Sequence, residues 1–409
     1  INFRRVTYFR LCLLETQVQH KQISFTILVC NFPSMFYVFA QIKVPLAEML
    51  GVTPADILIG LTIALLIQAG IAPIVGAWVD YYGALRVMAV GLITGAVSIV
   101  IMAFSSVYWG FLLAMMLLGV GFSMSCYEVA FSAAVQMNEP SARRNISLIT
   151  FYGGVASTLT WLSVAPLLSR FGLFHSLILM ALLLVVMAVW IGRMGLGMAM
   201  PGRMAPDTPA IPFRWTELTR NEKVALMTLA SASCLEYMSF AGITLMLIHW
   251  YFERFADLGL AVILASVYGP FQVVGRVLEM RFGARHDARI TAILAFAMVP
   301  AALVLIQFSS LPLVVLGMAM FGMGHGVLTV SFGFITNMYF RAAVYGRAKG
   351  WITTPRALGM AIGPSVAGYI YATGGSALFF MAMILLALLA WGVFFMILTI
   401  RPREGYEMP

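Results

Sequence analysis

The chain has 409 residues, of which 62% are hydrophobic and only 10% charged. Soluble domains carry about 25% charged residues, so a water-soluble enzyme or binding module is excluded. The net charge of +9 lies in short clusters between apolar runs, which is the pattern that orients a membrane protein and not that of a nucleic-acid surface.

Apolar runs recur at roughly 20 residues, the length a helix needs to cross ~30 Å of hydrocarbon. Outer-membrane strands alternate over ~10 residues instead, so a β-barrel is excluded. The expected fold class is an all-α membrane protein with twelve transmembrane helices in two pseudo-symmetric six-helix bundles. Residues 1–22 are polar and basic, show no cleavable signal pattern, and are expected to be a cytoplasmic N-terminal segment. The N-terminal bundle spans 23–194, with helices near 23–47, 56–79, 84–104, 108–136, 146–168 and 172–193. A linker over 195–222, rich in Pro, Gly and charge, precedes the C-terminal bundle over 223–400. Its helices fall near 223–250, 258–281, 288–307, 311–338, 350–371 and 376–400, with a cytoplasmic tail at 401–409.

Span 1 carries Cys30, Ser34, Tyr37 and Gln41 on one helical stripe. Span 2 ends in GAWVDYYGALR (76–86), which holds Gly76, Asp80, Gly83 and Arg86. Span 4 places Gly121, Ser125, Glu128, Ser132 and Gln136 on a stripe. A carboxylate in hydrocarbon costs several kcal/mol, so Glu128 reads as facing water or a partner and is a candidate proton carrier. It sits about six residues below mid-span, roughly 9 Å toward the cytoplasm. Span 7 supplies Ser233, Glu236, Phe240 and Thr244; span 10 supplies His325, Thr329, Gly333 and Thr336. Glu236 and His325 are central in their spans; Glu236 reads, like Glu128, as a candidate proton carrier, and His325 as suited to proton relay or to hydrogen bonding a ligand, with a satisfied core histidine the competing reading. Tyr37, Tyr152 and Tyr237 offer hydroxyls to a ligand, with interior packing the competing reading. Arg276 and Glu279, three apart at the end of span 8, read as an intrahelical pair. Arg356 in span 11 is suited to an anionic substrate or to Asp80 or Glu128.

Of the 25 lysines and arginines, only Lys43, Arg170 and Arg254 fall on the opposite side from the rest, with Arg356 inside a span. Both termini and the linker are therefore expected to be cytoplasmic. Four cysteines show no pair spacing, so no disulfide, metal or other cofactor is expected. No serine–histidine–acid spacing or nucleotide loop is present, so an enzyme or ATP-driven pump is not expected.

The halves repeat: GAWVDYYGALR after span 2 is echoed by GRVLEMRFGAR (275–285) after span 8, and LLGVGFS (117–123) by MFGMGHG (320–326). A duplicated six-helix unit is a transporter architecture, with the substrate site expected near the midplane at the repeat interface. The 6+6 plan with Gly76-x-x-x-Asp80-x-x-Gly83-x-x-Arg86 resembles the major facilitator superfamily, from about residue 23 onward. The second copy departs, having Glu279 for the aspartate. The resemblance implies a gating role for Gly76, Asp80, Gly83, Arg86, Gly275, Arg276 and Glu279. Asp80 would meet the start of span 11, with Arg356 close by, and Glu279 the start of span 5. It implies a substrate cavity lined by spans 1, 4, 7 and 10, to which Ser34, Tyr37, Gln41, Ser125, Tyr152, Tyr237, Phe240, Thr329 and Arg356 would contribute. Multidrug antiporters of the superfamily carry an arginine in span 4 where this chain has Met115, and a Gly-Pro motif in span 5. Here the similar string GMAIGPSVAG (359–368) lies in span 11, so the chain resembles a poorly characterised bacterial subgroup instead.

The function expected is secondary active transport of a small organic solute by alternating access, coupled to protons through Glu128, Glu236 and His325, with export favoured. Proton-coupled uptake of an organic anion or metabolite is one alternative; a scaffold or receptor that does not transport is another. The expected partners are a small-molecule substrate, protons and the lipid bilayer, with no nucleic acid. The expected state is a monomer in the bacterial inner membrane.

Overall fold

The computed structural model describes Ile23, residues 33–197 and residues 213–406. The N-terminal segment to residue 22, residues 24–32 of the first expected span (with Cys30), residues 198–212 of the linker and the last three residues lie outside the described residues.

The described chain is helical throughout. A π-helical turn at Pro33–Tyr37 leads into α1 (Phe39–Leu50), followed by α2 (Pro54–Tyr82), α3 (Ala84–Phe104), α4 (Tyr108–Ser125), α5 (Tyr127–Met137) and α6 (Ala142–Gly197). After the linker come α7 (Arg220–Phe255), α8 (Leu258–Ser266), α9 (Tyr268–Phe282), α10 (Ala288–Leu305), α11 (Leu311–Tyr339) and α12 (Tyr345–Phe395). Among the described residues, nine helices are long and apolar enough to cross a membrane. Two of these, α6 and α12, bend sharply at Gly172 (φ 71°) and Gly375 (φ 65°). Each bend lies where two expected spans meet, which makes eleven, and the first expected span lies partly outside the described residues, so the count is compatible with twelve. A left-handed φ is open to glycine at little cost and reverses the chain within one residue.

Helix starts follow local sequence rules. Thr53 and Asp56 form a capping box at α2, and Thr219 with Glu222 does the same at α7. The expected loop after span 2 shrinks to a single residue. Gly76 and Asp80 lie within α2, and Gly83 (φ 89°) alone turns the chain into α3.

Two compact units divide the chain: Ile1–Ile211 with Ala342–Arg347, and Pro212–Arg341 with Ala348–Pro409. Inside each unit, glycines let helix backbones touch, which is how helices associate where lipid removes the hydrophobic drive. In the first unit, a methyl group on Gly119 of α4 would come within 2.3 Å of the Ala64 carbonyl oxygen of α2. In the second, Gly322 and Gly326 of α11 lie against the carbonyls of Tyr268 and Gln272 of α9. Gly359 and Gly363 of α12 lie in the same way against Cys234 and Met238 of α7. The glycines of GVGFS, GMGHG and GMAIGP are thus packing residues. Gly326→Val, whose Cβ would sit 2.3 Å from the Gln272 oxygen, should separate α11 from α9. We expect a loss of about 2–4 kcal/mol, checked by thermal unfolding in detergent.

Candidate functional site

In the C-terminal unit the helix phase of α7 builds a polar cluster. Glu236, Tyr237 and Phe240 lie on adjoining faces within little more than one turn. Glu236 is 3% exposed and His325 of α11 is 5% exposed. His325 Nδ1 stands 2.6 Å from Glu236 Oε1, a close hydrogen-bond contact. The second oxygen, Oε2, is buried with no hydrogen-bond partner. Phe240, one turn beyond Glu236, stacks on the imidazole at 3.6 Å and 6° between planes. Tyr237 meets the same ring edge-on at 5.2 Å. Arg356 also meets the Tyr237 ring, its guanidinium carbon lying 5.0 Å from the centroid. The glycine contacts of Gly359 and Gly363 bring α12 close enough to α7 for this cation–π pair. Thr329 closes the cluster toward α11, its hydroxyl donating to the His325 carbonyl.

The sequence presents Glu236 and His325 separately, and the fold joins them. The contact ties α7 to α11 through two ionisable side chains.

In the N-terminal unit Asp80 closes α2 and is 6% exposed. Its Oδ1 accepts the Gly346 N–H at 2.8 Å; its Oδ2 accepts the Arg347 N–H at 3.0 Å and the Arg347 Nε–H at 2.8 Å. These amides are in the first turn of α12, where helix N–H groups lack intrahelical partners and the dipole favours an anion. The expected arginine partner, Arg356, is replaced by Arg347. Arg356 lies about two and a half turns further along α12, beyond the reach of a side chain anchored at its start. The backbones at Gly76 and Gly346 meet so closely that a methyl group on Gly76 would come within 2.2 Å of the Gly346 oxygen. Arg86 is half-buried, its stem beside Gly195.

Glu128 is half-buried and stands in the first turn of α5. The expected continuous stripe of span 4 is broken, because Cys126 is extended (φ −87°, ψ −158°) and ends α4. Ser125 hydrogen-bonds the Gly121 carbonyl above the break, and Ser132 the Glu128 carbonyl below it. Gln136 leaves the cavity reading altogether, since its amide is bonded to the backbone at Val79 and Ala84. The span 1 stripe is interrupted too: Ser34 is buried and Tyr37 half-buried in the π-helical turn, while Gln41 lies half-buried in α1. Tyr152 is half-buried with its ring edge on Phe151. In α9, Gly275 packs on the Met323 carbonyl, and the buried Arg276 and Glu279 sit one turn apart, the Glu279 carboxylate lying over Gly283.

Three residues escaped sequence reasoning. Gly346 and Arg347 had a signal, a glycine and a cation opening a helix, but no sequence distance ties them to Asp80. Lys349 is 1% exposed and donates to the Phe332 carbonyl at 2.9 Å, a buried ammonium that its position in a basic cluster concealed. Among the described residues no cluster of three or more metal-ligating side chains occurs.

The family model described as Major Facilitator Superfamily matches residues 229–407. A comparison with curated proteins finds no match. Among solved structures, the chain is similar to the human organic anion transporter MFSD10, at 19% identity over 93% of this chain and 97% of that one, with a TM-score of 0.67. It is similar to the E. coli fucose:proton symporter FucP, at 13% identity over 96% of this chain and 100% of that one, with a TM-score of 0.71. A bacterial homologue of the iron transporter ferroportin, in an outward-facing state, aligns at 12% identity over 93% of this chain and 100% of that one, with a TM-score of 0.77. At these identities the structures establish the fold. The family model covers the larger part of the C-terminal half, and the fold of these transporters is shared across nearly the whole length of the chain.

Proposed function

We propose that the protein is a secondary active transporter that moves a small organic solute by alternating access, coupled to protons through Glu236 with His325 and through Glu128. The observation that carries the coupling is the buried carboxyl–imidazole contact at 2.6 Å. Ionisable groups are costly inside a membrane protein, and such a pair is worth retaining where its charge must change. The likeness to a fucose:proton symporter supports coupling to protons, and the likeness to an organic anion transporter and to a homologue of an iron transporter supports transport.

The bundles 23–194 and 223–400 are the moving bodies in this reading, with the Asp80 clasp on Gly346 and Arg347 as a gate that opens in each cycle. Glu279 after span 8 takes the equivalent place in the second repeat. Acids outnumbering bases among the candidate coupling residues favour proton antiport, hence export. A second reading, proton-coupled uptake of an organic anion, is favoured by Arg356 beside Tyr237 and His325, a guanidinium suited to a carboxylate. The membrane would be the bacterial inner membrane, with both termini cytoplasmic.

The test is thermal stabilisation of the purified protein against organic cations, neutral amphiphiles and organic anions, followed by counterflow in proteoliposomes. Stabilisation by one class with counterflow of the same compound supports transport and decides between the two readings. Absence of both across the panel overturns transport in favour of a scaffold. For a transported solute, Glu128→Gln is expected to reduce solute-driven proton movement about tenfold or more, read with a pH dye inside the vesicles. Unchanged proton movement removes Glu128 from the coupling.

A further inference from the structure

The Gly83 turn that aims Asp80 is held by a side chain from elsewhere in the N-terminal unit. Where α2 ends and α3 begins, the helix-end backbone groups are buried: Val79, Gly83 and Ala84 are all in the interior. Helix termini leave such groups without intrahelical partners, and unpaired buried groups are costly. Gln136, in the last turn of α5 and 1% exposed, reaches both sides of the turn with one amide. Its Oε1 accepts the Ala84 N–H at 2.9 Å, and its Nε2 donates to the Val79 carbonyl at 3.1 Å. Val79 also accepts from Gly83 N–H at 3.0 Å, so its carbonyl is fixed from two directions.

Asp80 is the next residue. Fixing the Val79 carbonyl fixes the peptide plane from which the Asp80 Cα–Cβ bond leaves. The clasp has little slack, because a methyl group on Gly346 would stand 2.6 Å from both Asp80 Oδ1 and the Gly76 oxygen. Three hydrogen bonds to one carboxylate at 2.8–3.0 Å require the last turn of α2 to be held to within a fraction of an ångström.

We propose that Gln136 is a positioning residue for the Asp80 gate: it pins the α2–α3 turn so that the carboxylate meets the first-turn amides of α12. The inference rests on the gating reading of Asp80. A glutamine whose amide bridges the two sides of a one-residue turn stiffens that turn without touching the gate's other partner. The span 4 helix thereby reports to the gate: a displacement of α5 moves Gln136, and Gln136 moves Asp80.

The test is hydrogen exchange with single-residue readout on the full-length protein in nanodiscs. Gln136→Met keeps the length and packing of the side chain and removes both hydrogen bonds. Exchange of the Gly346 and Arg347 amides is expected to rise about tenfold or more, approaching that of Asp80→Ala. The double variant is expected to show no further rise over Asp80→Ala. Increases confined to residues 79–87, with the Gly346 and Arg347 amides unchanged, would overturn the proposal, since a purely local structural role predicts that pattern. Gln136→Glu keeps the acceptor toward Ala84, loses the donor to Val79, and is held to the same criterion should the methionine variant not fold. Wild-type transport by Asp80→Ala alongside the expected exchange pattern would refute the gating reading alone and leave the positioning role standing.

Discussion

Asp80→Asn is expected to slow transport at least tenfold and to lower thermal stability, with helical content unchanged. The carboxylate is nearly buried and accepts from two backbone amides and one guanidinium nitrogen. Hydrogen bonds to charged groups contribute about 1.5–3 kcal/mol each, and an anion at a helix N-terminus up to about 2 kcal/mol more in a partly buried site. Asparagine retains one acceptor oxygen and the shape, so part of this survives. A residual loss of about 2 kcal/mol is still a factor near thirty in the equilibrium between clasped and released forms. Arg347→Ala removes only the guanidinium contact and leaves both amide bonds, so its effect is expected to be smaller. Counterflow rates for the two variants, with thermal unfolding alongside, check the order. Equal and wild-type rates would show that the carboxylate merely finishes a helix.

Glu236→Gln is expected to abolish solute-driven proton movement while leaving solute exchange measurable, because exchange needs binding and conformational change but no net proton release. The pair can no longer change charge by one at that carboxyl, so the pH profile of net transport should flatten. The two halves of the pair should differ in stability. Glu236→Gln replaces a carboxyl by an amide that can still hydrogen-bond the imidazole. His325→Ala takes away the contact at Oε1 and leaves a buried carboxyl whose other oxygen already lacks a partner. Removing one member of a buried pair costs about 3–5 kcal/mol. His325→Ala should therefore lower the unfolding temperature by several degrees more than Glu236→Gln. If both variants retain wild-type proton movement and pH profile, the pair is a structural fastening between α7 and α11.

Legibility differed sharply between kinds of residue. Gly83 could be named as special because a loop motif needs a residue open to left-handed φ, and its backbone is there. Asp80 could be named for the same reason, but its guanidinium partner could not. Arg347 and Arg356 lie nine positions apart on one helix, and only the close approach of Gly76 to Gly346 decides that the chain passes Asp80 at the first turn. Glu236 and His325 were each visible as ionisable groups in apolar runs. Their union depends on the phase of α7 against α11, which no spacing within either helix records. Gln136 shows the opposite failure. Helical periodicity from Ser125 through Glu128 to Gln136 assumes one unbroken helix, and the extended Cys126 resets the phase. The residue then turns toward the α2–α3 corner.

What the sequence by itself determined is the membrane character, the helical class, the duplicated plan and the identity of the costly residues. Each is a property of local composition: an apolar run either is or is not long enough to cross hydrocarbon, and a carboxyl within it is expensive wherever its helix packs. What only the tertiary structure decided is who partners whom. Partners lie 89 residues apart for Glu236 and His325, and more than 260 apart for Asp80 and Arg347. Such pairings follow from helix rotation and from backbone contacts at a few glycines, which are collective properties of the packed bundle.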